Sequence, residues 1–570
     1  MDTRNTMDKD TSTRMSRRTF VATAAAAGAT VVGTSLLTGC SGGGGDAGGA
    51  GGGGGAGGGT KIVNYYINEP AFIDPYNLQE SEGTQVGASV FDSLLDYDYR
   101  AAELVPAAAA SWEVSDDATV FTFHLVEGAT FHNGDPVTAA DFKRGWERIC
   151  DAATPDANGG PSEISYHLAM VKGYEEMQSG AATELAGAVA LDELTFEVTL
   201  SAPYADFLYV LTHPALAPVP QAAVDDWPAF SAAPIGNGPF KIEGSWQHDQ
   251  YIQIKRFDEY HKGPAIIDGV DFKLIDSPET AFTEFQAGNL DFCQIPSGQI
   301  QNCVSTYGES ADGYTANPGQ QTLLGPESST YYLIINCTDE VMKDKNVRMA
   351  LNYAIDRQAI CDSVFEGTRE PATGIVPPGI AGFRQGAWPA SVYDVEKAKQ
   401  ALADAGFPDG EGFPTIKLSF NTGGGHEDIM AIVQQNFADI GVTAEFDSLE
   451  WAAYLDALAA DQFQIGRLGW IADYPIMENF LFSLFYTDNG DNYSNYSNPE
   501  VDAKIMEARG ITDNDARIKA FQEVDDLIAA DCPIIPMMFY KHVRVCSDRL
   551  QNFYFAPNMI ADLTATDLAV

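Results

Sequence analysis

The chain is short of basic residues, of cysteine and of any motif that fixes a reaction. Lysine and arginine number 33 against 80 aspartates and glutamates, a formal charge of −47. A phosphate backbone is repelled by such a field, so nucleic acid is excluded as a partner; the acidic surface reads as one that keeps an exported protein soluble. None of the eight histidines stands in an HExxH, and no GxSxG marks a nucleophile elbow. His124 and His132 read as structural. A secreted hydrolase is the rival from the catalytic class, but with this many acids a carboxylate pair carries no weight without geometry. No CxxC and no Cys/His cluster at zinc spacing occurs, so neither metal nor cofactor is expected. Beyond Cys40 stand seven cysteines, an odd number. Cys532 and Cys546 bracket CPIIPMMFYKHVRVC, which reads as a hairpin and leaves two options, a disulfide between them or buried free thiols.

Long apolar runs are missing too. The stretch from Val21 to Thr38 is mostly Ala, Gly and Thr, too weak for a span that needs about 20 strongly apolar residues. Ahead of it Ser16-Arg17-Arg18-Thr19-Phe20 is a twin-arginine pattern, and Leu37-Thr38-Gly39-Cys40 after it resembles a lipobox. Residues 1–39 are therefore expected to be a signal peptide, with Cys40 the lipid-bearing mature N-terminus. From Ser41 to Gly59 the chain is almost pure Gly and Ala, which cannot build a core and reads as a flexible tether. A GxGxxG match inside it has no strand before it and no amphipathic helix after it, and is dismissed.

What is present, from residue 60 on, is an ordinary globular composition too long for one core, so two or three lobes are expected. Short segments rich in β-branched and aromatic residues predict strands at Val120–Leu125, Leu194–Leu200, Tyr251–Arg256, Val270–Ile275, Tyr331–Asn336 and Ile416–Asn421. Helices alternate with them. Asp344–Phe365 keeps Val347, Ala350, Leu351 and Ala354 on one face, Val395–Ala405 stops at Gly406, and Thr138 with Asp141 forms an approximate capping box. No period of 20–50 residues repeats. The fold class is α/β with several sheets.

Seven stretches in order then carry a resemblance: IDPYN (73–77), LVPAAAASWEVSDDATVFTFHLVEGATFHNGDPVTAADFKRGWERI (104–149), GNGPFKI (236–242), FQAGNLDF (285–292), KNVRMALNYAIDRQAI (345–360), GWIADYP (469–475) and CPIIPM (532–537). The chain resembles the peptide and nickel class of extracytoplasmic solute-binding proteins that serve ABC importers, and within it the oligopeptide-binding proteins. The resemblance implies a periplasmic-binding-protein-like clamp (type II, cluster C), two lobes closing on a ligand, with an extra domain inserted in the first. On that pattern the expected divisions are residues 40–60 for the lipidated tether, 61–90 with 205–328 and 541–570 for lobe one, 91–204 for the insert, and 329–540 for lobe two. Gly236 and Gly238 are expected to act as a hinge, using backbone angles closed to larger residues. The implied partners are a peptide, an ABC permease with cytoplasmic ATPases, and the outer face of the cytoplasmic membrane through the Cys40 lipid, with the protein a monomer. Other members take dipeptides, oligosaccharides, nickel chelates or haem, and these stand as alternative ligands.

The candidate binding residues start from QIGRLGWIADYP. If Arg467 to Asp473 is extended, Arg467, Gly469, Ile471 and Asp473 share one face and Leu468, Trp470 and Ala472 the other. The two charges are then too far apart to neutralise each other. A zwitterion along the strand could meet Asp473 with its ammonium and Arg467 with its carboxylate, while Gly469 would let its backbone approach for β-augmentation. The resemblance implies the same roles for Asp473 and Arg467. It adds Trp451, from Glu450-Trp451, in the side-chain pockets, and Gln79 to Glu82, among them Ser81, facing the ligand from the other lobe; Trp470 and Ile471 complete the candidate ligand-binding residues, Ile471 being a departure from the family's motif. For each there is a bland alternative: Asp473 capping a turn before Pro475, Arg467 in a surface ion pair, Trp451 and Trp470 as core.

Overall fold

A computed structural model describes residues 60–78, 80–152, 162–422, 425–487 and 489–569. Cys40, the tether and Gln79 lie outside the described residues. The first strand, Ile62–Ile67, sits inside a seven-stranded sheet in the order Thr322–Leu323, Arg544–Cys546, Phe292–Gln294, Ile62–Ile67, Gly269–Leu274, Tyr251–Arg256, Phe240–Ile242. Side chains alternate across the sheet, so Val63, Tyr65 and Ile67 enter one core with Phe272 and Phe292, while Tyr66 enters another with Phe282 and Phe285.

Between two strands of this sheet the chain builds a separate four-stranded antiparallel sheet, ordered Ala109–Val114, Val120–Leu125, Thr195–Thr199, Ala188–Ala190. Its Phe121, Phe123 and Phe196 pack against Phe142 and Trp146 of the helix Ala139–Cys150. That helix begins where the capping box was expected, and both of the box's bonds form, with Thr138 N donating to Asp141 at 2.8 Å. From its far end Arg148 donates two bonds of 2.7 Å to Asp74, which also caps the turn Pro75–Asn77. The motif IDPYN thus clasps the inserted sheet to the first one.

The second large sheet has six strands ordered Glu370–Pro371, Ile534–Lys541, Pro326–Ile335, Ile465–Ile471, Ile416–Asn421, Ala444–Leu449. Cores cover both of its faces. The predicted helix 344–365 is two, Lys345–Ala354 and Arg357–Phe365, because Ile355 turns extended and Asp356 caps the second through Ala359 N. A two-lobed α/β clamp with an extra domain results.

The chain passes between the large sheets twice, from Thr322–Leu323 to Pro326–Ile335 and back from Ile534–Lys541 to Arg544–Cys546. The two crossings lie side by side, with His542 N donating to Gly325 O at 3.0 Å. This corrects the hairpin reading of 532–546. Its two strands belong to different sheets, Cys546 is buried in the core of the first sheet and Cys532 is buried against Asn352 of the second lobe, and all seven described cysteines are free. The hinge reading of Gly236 and Gly238 is corrected as well, since neither has a positive φ and neither lies in a crossing. A Cβ on Gly236 would come 2.0 Å from Val90 O and one on Gly238 2.7 Å from Phe91 N, so glycine is there for close packing.

A buried polar seam joins the end of the insert and the residues after it to the second lobe. Arg517 Nε donates to Asp206 at 2.7 Å, Tyr204 OH donates to Glu478 at 3.0 Å, and Arg509 pairs with the same Glu478 at 3.2 Å.

Candidate functional site

The strand Ile465–Ile471 is paired along its whole length on one side only. Pro326–Ile335 matches it residue for residue from Ser329↔Ile471 to Ile335↔Ile465. On the other side Ile416–Asn421 pairs only at Ile465 and Gly466 and then diverges. Into the gap comes the helix Trp451–Ala459, whose Tyr454 hydroxyl accepts from Arg467 N at 2.7 Å and donates to Arg467 O at 2.8 Å. Arg467 therefore points its backbone groups away from the paired neighbour, and by the alternation of an antiparallel ladder so do Gly469 and Ile471. That edge is open where the ladder with Ile416–Asn421 has ended, and the Ile471 side chain is 52 % exposed.

Arg467 lies with its guanidinium 5.6 Å from the ring centres of both Tyr331 and Trp451. It touches His426 Nε2, its Nε is buried without a partner, and among the described residues it forms no ion pair. Burial, with the adjacent guanidinium adding to it, lowers the His426 pKa to about 4, so this imidazole is neutral near pH 7 and offers no counter-charge. A half-buried cation without an acid is unfavourable alone and ready for a carboxylate. His426 was not among the residues expected from sequence. Its place follows from a left-handed Gly425 that starts the helix His426–Ala438 beneath the sheet face, a long-range fact with no local signature.

Asp473 lies two residues past the strand's end. Asn479 Nδ2 donates to its Oδ2 at 3.0 Å, its own N donates to Asn479 Oδ1 at 3.1 Å, and Tyr166 OH from the inserted region donates to Oδ1 at 3.4 Å. It does not cap the next helix, whose N-cap is Met477. His213 stands close enough for the carboxylate to act on it, yet burial prevails and lowers its pKa to about 4. Burial raises Glu478, behind Asp473, to about 7 against the pull of Arg509.

Two sequence-based roles change. Trp470 faces the core with Leu468, Phe480 and Leu484 and donates Nε1 to Asn479 Oδ1 at 3.0 Å. Strand alternation turns it away from the Arg467 face, so it orients Asn479 and through it Asp473. A Cβ on Gly469 would lie 2.9 Å from Tyr540 OH, so the missing side chain makes room for that hydroxyl. Trp451 does stand at Arg467. Ser81 is the exposed first residue of the helix Ser81–Val90 in the other lobe, and no contact joins it to Arg467 or Asp473 among the described residues.

This geometry, an open strand edge with a stacked cation at one end and a held carboxylate past the other, belongs to a protein of a class that the comparisons define. The model of the middle region of the bacterial extracellular solute-binding proteins, family 5, matches residues 103–492, and the chain belongs to that family. Its members bind solutes. The oligopeptide-binding protein OppA of Bacillus subtilis is 29% identical over 458 residues, covering 78% of this chain and 81% of the relative. The periplasmic oligopeptide-binding protein OppA of Salmonella typhimurium is 29% identical over 512 residues, covering 85% and 90%. Among solved structures, the periplasmic murein tripeptide-binding protein MppA in its unliganded open form superposes with a TM-score of 0.76 at 25% identity, covering 89% of this chain and 97% of that one. OppA of Burkholderia pseudomallei gives 0.68 at 26%, covering 90% and 99%. Among the described residues no helix is long and apolar enough to cross a membrane, and no group of three or more His, Cys, Asp or Glu could hold a metal.

Proposed function

We propose that the protein captures peptides with a free N-terminus in the cleft between its lobes and delivers them to an ABC permease, held beside it by a lipid on Cys40. Relatives named for oligopeptides, a dipeptide-binding DppE and a glutathione-binding GsiB support a ligand with a peptide backbone, while a probable deoxycholate-binding relative stands outside that pattern. One observation carries the reading: Arg467 lies 5.6 Å from two aromatic rings and forms no ion pair among the described residues, while Asn479 and Tyr166 donate to Asp473. A peptide backbone would add to the open edge at Gly469 and Ile471, its ammonium on Asp473 and its carboxylate on Arg467. Main-chain pairing gives affinity without reading side chains.

The test is calorimetric titration of purified protein, freed of ligand by unfolding and refolding, with a tri- to hexapeptide pool and the same pool N-acetylated. Binding of the free-amine pool alone is expected, and Asp473→Asn is expected to weaken it by about 2–5 kcal/mol. Equal binding of both pools, or an unchanged Kd in Asp473→Asn, would remove Asp473 from its role; dipeptides or glutathione binding in place of the pool would shorten the ligand.

A further inference from the structure

The sheet face that carries Arg467 carries a second arginine in the same setting. Arg369 immediately precedes the edge strand Glu370–Pro371, which pairs with Ile534–Lys541 at Phe539 and Met538. Its guanidinium lies 4.5 Å from the ring centre of Tyr540 and 5.5 Å from that of Phe365. The rings of Tyr540 and Tyr331 are 6.2 Å apart. Across three neighbouring strands and the residue before the fourth, the row therefore reads Arg467, Tyr331, Tyr540, Arg369, with Trp451 and Phe365 at its ends.

Aromatic rings beside a guanidinium do not satisfy its N–H groups, and a carboxylate can meet them with two parallel bonds. Neither arginine forms an ion pair among the described residues, in a chain with 80 acids. The hydrogen bond found for Arg369 goes to Lys541 O at 2.9 Å. Of the acids near it, Glu370 pairs with Lys541, and Glu327, which accepts from Ser329 Oγ at 3.2 Å, acts on Arg369 through its field without an ion-pair contact. Burial lowers the pKa of Arg369, the field of Glu327 opposing and that of Arg544 adding to it. Two cations on one face of one cleft call for two carboxylates on one ligand, and the peptide C-terminus supplies one.

We infer that Arg369 is a second anion anchor of the cleft, which, on the reading of the site as a peptide site, favours peptides that also carry a side-chain carboxylate, aspartate or glutamate. The test uses two alanine-based tri- to hexapeptide pools, one with a single glutamate at each position in turn and one with the isosteric glutamine. Wild-type protein is expected to bind the glutamate pool about tenfold more tightly. Arg369→Gln should lose that preference while binding the glutamine pool as wild type does, with an unchanged unfolding midpoint, and Arg369→Lys should keep part of it. No preference in wild type, or a full preference surviving in Arg369→Gln, overturns the inference. Wild type binding neither pool refutes the peptide reading itself, and Arg369 with it, which separates the two failures.

Discussion

Two arginines of this protein are drawn away from solvent and used in opposite ways. Arg148, its side chain 5% exposed, meets both oxygens of Asp74 and lies 5.0 Å over the Tyr76 ring. Arg467 has two rings and a neutral imidazole but no carboxylate. Desolvation bears on both. In the first case the fold supplies the counter-charge and a clasp results; in the second it supplies none, and on the proposed function the ligand would. Arg348 and Arg357 are also buried without an acid, but backbone carbonyls and Asn352 satisfy them; Arg467 differs in that its Nε is left without a partner.

The largest effect that would test this contrast is expected at the clasp. Asp74→Asn leaves Arg148 buried without its partner and should destabilise the fold by about 3–5 kcal/mol in urea unfolding. Arg467→Gln should do the reverse, weakening peptide binding by about 2–5 kcal/mol while moving the unfolding free energy by no more than about 0.5 kcal/mol. If Arg467→Gln unfolds as readily as Asp74→Asn, the two arginines are alike and the contrast collapses.

The smallest effect concerns His426. Its pKa is lowered on folding to about 4, so the unfolded chain binds the proton more readily. Its contribution to stability is whole above its ordinary pKa near 6.5 and is lost as pH falls from there toward 4. The loss is at most about 1.4 kcal/mol per pH unit. Because the guanidinium is part of the cause, Arg467→Gln should flatten this slope, read by urea midpoints at pH 7.5 and 5.5. A slope identical in both proteins would show that Arg467 does not act on the imidazole.

Local signals were legible in the sequence. The strands Tyr251–Arg256 and Ile416–Asn421 occur where their β-branched and aromatic residues predict them, and the Thr138–Asp141 box forms both bonds. These depend on neighbours a few residues apart. What escaped depends on partners far along the chain: the room at Gly469 is set by Tyr540, the setting of Arg467 by Trp451 and His426, and the separation of Cys532 from Cys546 by two strands parting into different sheets. Even the alternation that put Trp470 opposite Arg467 was readable, but only the packed core shows that opposite means buried.

The Tyr454 hydroxyl has a further consequence. Fully buried, it occupies both backbone groups of Arg467, so on the proposed function an incoming chain would pair with Gly469 and Ile471 and would be stopped from sliding two residues further along. The strand is a ruler with a fixed zero. Frame is then a property of the receptor and not of the cargo, and cargoes of unrelated composition would all be laid down from the same mark.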